Sequence, residues 1–355
     1  MDFLTLDSTL NVIKQLLNVT NIQWRRRYYE YGQFEIQMIE SEYDIKMKYI
    51  WNRETNELAF INKVVFETKS IGNFVSISGY FIEQILEDYY PPTLGYGYGI
   101  SIETLCHNIV ENSIGYTRIG LDDTHYESKD RIPIVKGTSV GNSTINDEVM
   151  KDTDSVGSQF QTLLKSIQEG QKLRFDYTNR KFYYDTYQGR DRSVEGENFV
   201  LFSDSLNNLK DIEYSNDDSD YKNYARVYYT LLDDSQTYID VNLMTNTYDK
   251  RMIVIECMEK GDTDDDTKKM AQQKGTLELL NHTKIVNASF TPVTDSYKYL
   301  VDFDLGDKIM FNSNIMGISY SERIVGVNEI YKKGQRTLQL LFGNEKKMLY
   351  KRGRY

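Results

Sequence analysis

Cysteine, proline, histidine and tryptophan are all scarce in this 355-residue sequence, at two, four, three and two copies. Cys106 and Cys257 are too few for a disulfide framework. Each sits in an apolar setting, so both read as buried, inert thiols of a protein assembled in a reducing cytoplasm. With only four prolines and 40% hydrophobic residues, the chain is folded and not a disordered linker. His107, His125 and His282 lack a second ligand at metal spacing, which excludes a zinc site. No run of eighteen apolar residues exists, and the opening Met1-Asp-Phe-Leu-Thr-Leu-Asp7 has no basic region, so neither a membrane-spanning helix nor a signal peptide is expected. Positive charge is also in deficit: 42 Lys and Arg face 53 Asp and Glu, a net charge of −11. Such a chain does not grip nucleic acid through its phosphates, although an acidic wall lets a polyanion slide past without sticking.

What is plentiful is tyrosine, with 29 copies. Its ring packs while its hydroxyl keeps a partner, which suits half-buried strands and wet interfaces. The length exceeds a usual single domain, so more than one core is expected.

Alternation places strands at Ile22 to Tyr29 and Gly32 to Met38, where Phe34, Ile36 and Met38 interleave with Glu35 and Gln37, and again at Leu58 to Phe66 and Phe74 to Ser78. Phe81, Ile82, Ile85 and Leu86 then fall at helical spacing. A second helix carries Ile102, Leu105, Cys106, Ile109 and Val110, with Ser101 as its cap, and a third carries Phe160, Leu163, Leu164 and Ile167 and stops at Gly170. The pattern predicts a mainly β chain with an inserted α/β part: a first tube-like β-barrel over 1–80, closed on itself or completed by later strands, an α/β insertion over 81–197, a second tube-like barrel over 198–345 interrupted around 259–282, and a basic tail over 346–355. The last region includes Tyr299-Leu-Val-Asp-Phe-Asp-Leu305, read as an alternating strand running into a Gly306-Asp307 turn.

An internal echo supports two modules. Gly32-Gln-Phe-Glu-Ile36, Val64 to Phe66, Gly72 and Val75 to Gly79 are matched by Gly306-Asp-Lys-Ile-Met310, Val327 to Tyr331, Gly334 and Leu338 to Gly343. The spacings differ and hairpins recur by chance, so duplication and coincidence both remain open.

No nucleophile elbow, phosphate loop or dinucleotide fingerprint is present, and Tyr96-Gly-Tyr-Gly99 lacks the preceding strand that would make it a nucleotide turn. Asp262, Asp264 and Asp266 imitate a calcium loop, but Thr267 stands in the glycine position and Gln273 in that of the bidentate Glu, leaving a solvated acidic turn before a helix at Thr267 to Asn281. No cofactor, metal or catalytic residue is expected. Gly189-Arg-Asp191 reads as a structural turn in which Arg190 and Asp191 pair. The cluster Arg25-Arg-Arg27, beside Trp24 and Tyr28, reads as reaching acidic groups of a neighbouring subunit or another partner protein, so Trp24, Arg25, Arg27, Phe34 and Ile36 are candidate interface residues, with Gly32, Gly306 and Asp307 as structural turns.

Taken in order, Trp24-Arg-Arg-Arg-Tyr-Tyr-Glu-Tyr-Gly-Gln-Phe-Glu-Ile36, Val75-Ser-Ile-Ser-Gly79, Gly189-Arg-Asp191 and Leu305-Gly-Asp307 resemble the siphovirus tail hub family, related in fold to the baseplate hubs of contractile phages. The resemblance covers most of the chain. It implies a non-enzymatic homotrimer whose six similar barrels dock on the sixfold tail tube and present threefold symmetry to the tip of the virion tail or baseplate, with DNA only passing through the channel and no stable membrane association. The implied partners are the tail tube protein, the distal tail protein, the tape-measure protein and a tail-tip or receptor-binding protein. Many hubs continue into a hydrolase or receptor-binding module, whereas this sequence ends soon after its last strand, so none is expected here. The competing readings are a carbohydrate- or receptor-binding tail protein and, behind it, a cell-wall hydrolase.

Overall fold

The computed structural model describes residues 2–90, 99–114, 134–146, 150, 153–245, 248–293, 296–332 and 334–343. The expected loop at 96–98, His125 and the basic tail at 346–355 lie outside them. The chain divides into two compact units. The first joins Met1–Ile212 to Ser289–Phe342, and the second is built on Glu213–Ala288.

Unit 1 opens with seven strands: β1 (Phe3–Leu6), β2 (Val12–Gln15), β3 (Val19–Arg27), β4 (Gln33–Ile39), β5 (Tyr49–Asn52), β6 (Glu57–Lys69) and β7 (Gly72–Phe81). They hydrogen-bond in the order β3-β4-β7-β6-β5-β1-β2. Register aligns Ile22, Ile36, Ile77 and Val64 in one row across four strands, and Trp24 with Phe34 in the next. Because side chains alternate, this puts the apolar set on one face. Phe34, Ile36, Met38, Val75 and Ile77 are all buried there, each aliphatic or aromatic side chain contributing about 1.5–3 kcal/mol on leaving water. The sheet rolls until Phe3 on β1 meets the edge of Trp24 on β3, with ring centroids 5.1 Å apart. No ladder joins β2 back to β3 among the described residues, so residues 1–80 form an open roll and not a barrel closed on itself; the free edge of β3 is taken by a later strand, Ile318–Lys332, and the sheet still does not close.

The next segment holds a 3₁₀ helix at Ile82–Asp88, then α1 (Ile102–Ile109) and α2 (Val156–Ser166), with β8 (Ile134–Lys136), β9 (Gly170–Asp176) and β10 (Lys181–Tyr187). Ser101 and Ser155 cap the two helices by accepting from Thr104 N and Ser158 N. Helix α2 ends at Ser166, before Gly170; Gln168 turns the chain at φ 58° and Gly170 opens β9. Ile102, Leu105, Cys106, Ile109, Phe160, Leu164, Phe175 and Phe182 share one core with Leu6 and Leu58 of the rolled sheet. The α/β segment is therefore part of the first compact unit.

Glu83, on the 3₁₀ helix, lies inside unit 1 and accepts from Leu173 N at 2.7 Å. Burial pushes its carboxyl up to about 7. A folded-state value above the unfolded one means the native state holds the proton more tightly, so stability is fully present below about pH 4.5 and falls as pH rises towards 7. The shift corresponds to at most about 3 kcal/mol. Glu83→Gln, which keeps the acceptor oxygen, is expected to remove this slope; urea denaturation of both proteins at pH 5 and pH 8 measures it, and equal differences at the two values would refute it.

The chain continues through β11 (Leu201–Ser203) and β12 (Leu209–Asp217), and β12 carries it out of unit 1 at Ile212. It re-enters through β16 (Ile285–Pro292) and ends in β17 (Lys308–Ser313), β18 (Ile318–Lys332) and β19 (Gln335–Gly343). Strand β18 is fifteen residues long and has two partners along one edge. Its first part pairs β17 and its second pairs β3, while β19 runs along the other edge of that second part. Both echoed regions carry a glycine-turned hairpin, β6–β7 and β18–β19, but the third strand joins differently: β4 pairs the returning arm β7, whereas β17 pairs the outgoing arm β18. Among the described residues no closed barrel forms here either.

The segment Tyr299 to Leu305 is not a strand. Leu300 sits at φ 68°, its N–H donates to Phe303 O, and the Asp302 carboxylate accepts from Lys298 N. Two local turns win over the alternating pattern, leaving Val301 exposed while Phe303 packs edge-on against Phe202.

Unit 2 contains β13 (Tyr224–Thr230), β14 (Gln236–Asn242) and β15 (Met252–Cys257) in the order β14-β13-β15, with α3 (Asp264–Asn281). The acidic turn forms the first turn of α3, where Thr263 caps Asp266 N and three aspartates meet the positive helix end. Thr267, Ala271, Gly275 and Leu279 recur every fourth residue and face the sheet. At Gly275 a Cβ would come within 2.7 Å of Val227, so the small residue sets how closely the helix lies.

Candidate functional site

The landmark turns, far apart in sequence, meet in unit 1. A Cβ on Gly189 would stand 1.9 Å from Gly306 O, so the two backbones touch at that position. Gly306 has φ 91° and lies against the ring of Tyr28, which also abuts Gly170. Tyr28 is wholly buried; its hydroxyl lies 3.1 Å from Gln168 O and 3.0 Å from Tyr187 O, and it accepts from Gly189 N at 3.2 Å. Desolvation raises its pKa. Asp307, also buried, receives Arg190 N at 2.7 Å and Arg192 Nε at 3.0 Å. Arg190 and Asp191 do not form the expected pair: Asp191 accepts from Ser193 and Lys308 instead. Arg323 donates to Gly306 O and lies over the Tyr28 ring. One tyrosine thus ties the end of β3, the α/β segment and the C-terminal strands together.

Next to this node lies a buried charge cluster. Arg26 donates through Nε to Glu57 at 2.6 Å and through Nη1 to Asp304 at 2.7 Å, and it also bonds the Tyr299 hydroxyl. Trp24 Nε1 donates to the other Glu57 oxygen at 2.9 Å. The Glu57 charge lifts the Arg26 pKa against the opposing effect of burial. Glu329, fully buried, takes Arg336 at 2.7 Å and the Tyr331 hydroxyl, and desolvation raises its pKa. The non-strand loop at 299–304 is what delivers Tyr299 and Asp304 to Arg26.

These positions correct the expected interface. Trp24, Phe34 and Ile36 are 0%, 2% and 0% exposed and form the core of the rolled sheet, so they do not reach a neighbour. Arg26, between Arg25 and Arg27, faces inward and finds its acids in the same chain. Arg25 and Arg27 lie on the opposite face, half-buried, bonded to Gln23 and Asn328. Gly32 is a close-packing position: a Cβ there would meet Arg25 O at 2.6 Å and the Phe81 ring at 2.7 Å. Tyr28 and Arg26 were missed as site residues, and a run of three arginines ending at a tyrosine was the available signal.

The face carrying Arg25 and Arg27 runs across six strands of the sheet. Across β19-β18-β3-β4-β7-β6 the register lines up Gln339, Asn328, Arg25, Gln33, Tyr80 and Phe60, and beside them Thr337, Ile330, Gln23, Glu35, Ser78 and Lys63. Amides and hydroxyls dominate, with charges of both signs between them. Among the described residues no group of three or more His, Cys, Asp or Glu is placed to hold a metal.

The family is established by the sequence itself: it is a phage tail protein family. The chain belongs to the siphovirus ReqiPepy6 Gp37-like family, whose sequence profile matches residues 102–344. In fold it is similar to the tail protein from Neisseria meningitidis MC58, at 10% identity and TM-score 0.62 over 97% of this chain and 96% of that one. It is likewise similar to the 43 kDa tail protein of prophage MuSo2 from Shewanella oneidensis, at 10% identity and TM-score 0.61 over 96% and 98%. Prophage tail protein gp18 from Listeria monocytogenes EGD-e gives 12% identity and TM-score 0.58 over 98% and 95%. No curated protein matches the sequence. Its role in the virion tail is structural.

Proposed function

We propose that this protein is the tail hub: three copies close into a ring that joins the sixfold tail tube to the threefold tip, and the polar sheet face lines the channel through which DNA leaves. The observation that carries this reading is that face, six strands wide, in which Gln, Asn, Ser, Thr and Tyr outnumber the scattered charges Arg25, Arg27, Lys63 and Glu35. A polyanion slides past neutral amides, whereas rows of cations would hold it by counterion release. Arg25 and Arg27 are held against the wall by Gln23 and Asn328, which fixes where these two cations stand without removing their charge. Each copy offers two hairpin-bearing β parts, around β3–β7 and β16–β19, so three copies present six to the tube. The parts 1–80, 81–197 and 198–345 are in this reading a tube-like module, a peripheral α/β module and a second tube-like module. Leu17, Ile45, Phe66 and Ile71, each more than 60% exposed, supply apolar area for docking on the tube. The distal tail, tape-measure and tip proteins are the remaining partners.

Light scattering on the purified protein is expected to give three times the 41.6 kDa chain mass, with a ring and central bore in micrographs. A persistent monomer at micromolar concentration, with no ring in assembled particles, would sink the proposal. The channel is tested separately by Gln23→Lys, Gln37→Lys and Ser78→Lys together. Particles should assemble normally and eject DNA at least about tenfold more slowly, a loss that shrinks with added salt. Unchanged ejection kinetics would move the channel to another surface.

A further inference from the structure

Among the described residues, unit 2 packs α3 on one face of its sheet and leaves the other bare. On the bare face the register sets Tyr228 opposite Tyr238 and Arg226 opposite Asp240. Tyr228 and Tyr238 are 39% and 50% exposed, with ring centroids 5.8 Å apart. Arg226 forks onto both Asp240 oxygens at 2.8 Å each and lies 4.3 Å over the Tyr238 ring. Tyr224 donates its hydroxyl to the same carboxylate at 2.6 Å. The polar groups are held in place before any partner arrives, which removes much of the ordering cost of binding.

The chemistry of the face selects among occupants. Single-stranded nucleic acid stacks on such rings but needs a surrounding excess of cations, and residues 213–288 hold nine Lys and Arg against fifteen Asp and Glu. A protein interface is centred on apolar or aromatic area depleted of charge, whereas here an ion pair occupies the middle row and the exposed aliphatic surface is confined to Met252 and Val254 at the β15 edge. A sugar polymer needs flat rings against the C–H face of its pyranoses and planar charged groups that take pairs of hydroxyls. Both alternate on this face. We infer that the bare sheet face of unit 2 binds a polysaccharide of neutral or N-acetylated hexoses, with Tyr228 and Tyr238 stacking on sugar rings and the Arg226–Asp240 fork bonding their hydroxyls. Anionic polymers are disfavoured by the surplus of carboxylates.

The test titrates the full chain with chitohexaose and with cellohexaose, followed by calorimetry and tyrosine fluorescence. Saturable binding of at least one is expected. The double variant Tyr228→Ala, Tyr238→Ala should weaken it at least tenfold while moving the thermal midpoint by less than about 3 °C, since both rings are half exposed. Arg226→Gln, which leaves both rings in place, should weaken it several-fold and decides the matter alone if the double variant does not fold. Absence of binding by both sugars, or variants that bind like the parent, overturns the inference. The hub reading is unaffected by that outcome, because ring formation is measured without sugar.

Discussion

Replacing Gly189 by alanine is expected to lower the thermal midpoint by about 6–12 °C, equivalent to roughly 3 kcal/mol or more in a unit of this size. The added Cβ would stand 1.9 Å from Gly306 O and 2.4 Å from Asp307 N, both backbone atoms with no rotamer to adjust. Gly306→Ala should be as severe, because φ 91° is unfavourable for an L side chain and the Tyr28 ring stands 2.3 Å from the new carbon. Gly334→Ala is the control. It also has positive φ, at 77°, but meets nothing within 4 Å, so only about 1 kcal/mol is expected. A Gly189→Ala protein melting within 2 °C or so of the parent would show that the two backbones do not approach as described.

Removing the buried guanidinium should be comparably damaging. Arg26→Met leaves Glu57 inside unit 1 without its cation, and orphaning one member of a buried pair costs about 3–5 kcal/mol. Asp304 adds little to the loss because its side chain is 45% exposed and water compensates it. Combining Arg26→Met with Glu57→Gln should recover roughly half or more, since the amide oxygen still accepts from Trp24 Nε1 and no unpaired charge remains. A double-mutant cycle read by urea denaturation measures the coupling. A loss below about 1 kcal/mol for the single variant would mean that the cluster is hydrated rather than buried.

The parts of the fold legible in the sequence are those whose information is local. Period-two alternation marked β3, β4 and β7, and the spacing of Leu105, Cys106 and Ile109 marked α1, because one buried face imposes one period. The same logic failed at Tyr299 to Leu305, where an alternating pattern folds as turns. Asp302 and Asp304 there serve as hydrogen-bond acceptors for Lys298 N and Arg26, and period alone does not distinguish a solvated strand face from carboxylates with assigned partners. Trp24, Phe34 and Ile36 were placed at an interface although their alternation already put them on the apolar face. Aromatic residues serve interfaces and cores alike, and burial depends on whether the sheet rolls over them.

What the amino-acid order determined by itself is the mainly β character, the position of most strands and helices, the acidic and tyrosine-rich composition, and membership of a siphovirus tail protein family. Each of these depends on neighbours within a few residues. Only the tertiary structure decided that Gly189 lies on Gly306, that Tyr28 binds three segments together, that Arg26 is neutralised by Glu57 and Asp304, and that six strands present one continuous polar face. Those facts depend on contacts between residues up to about 280 positions apart, where the free energy of a close approach is set by the folded path and leaves no periodic trace in the chain.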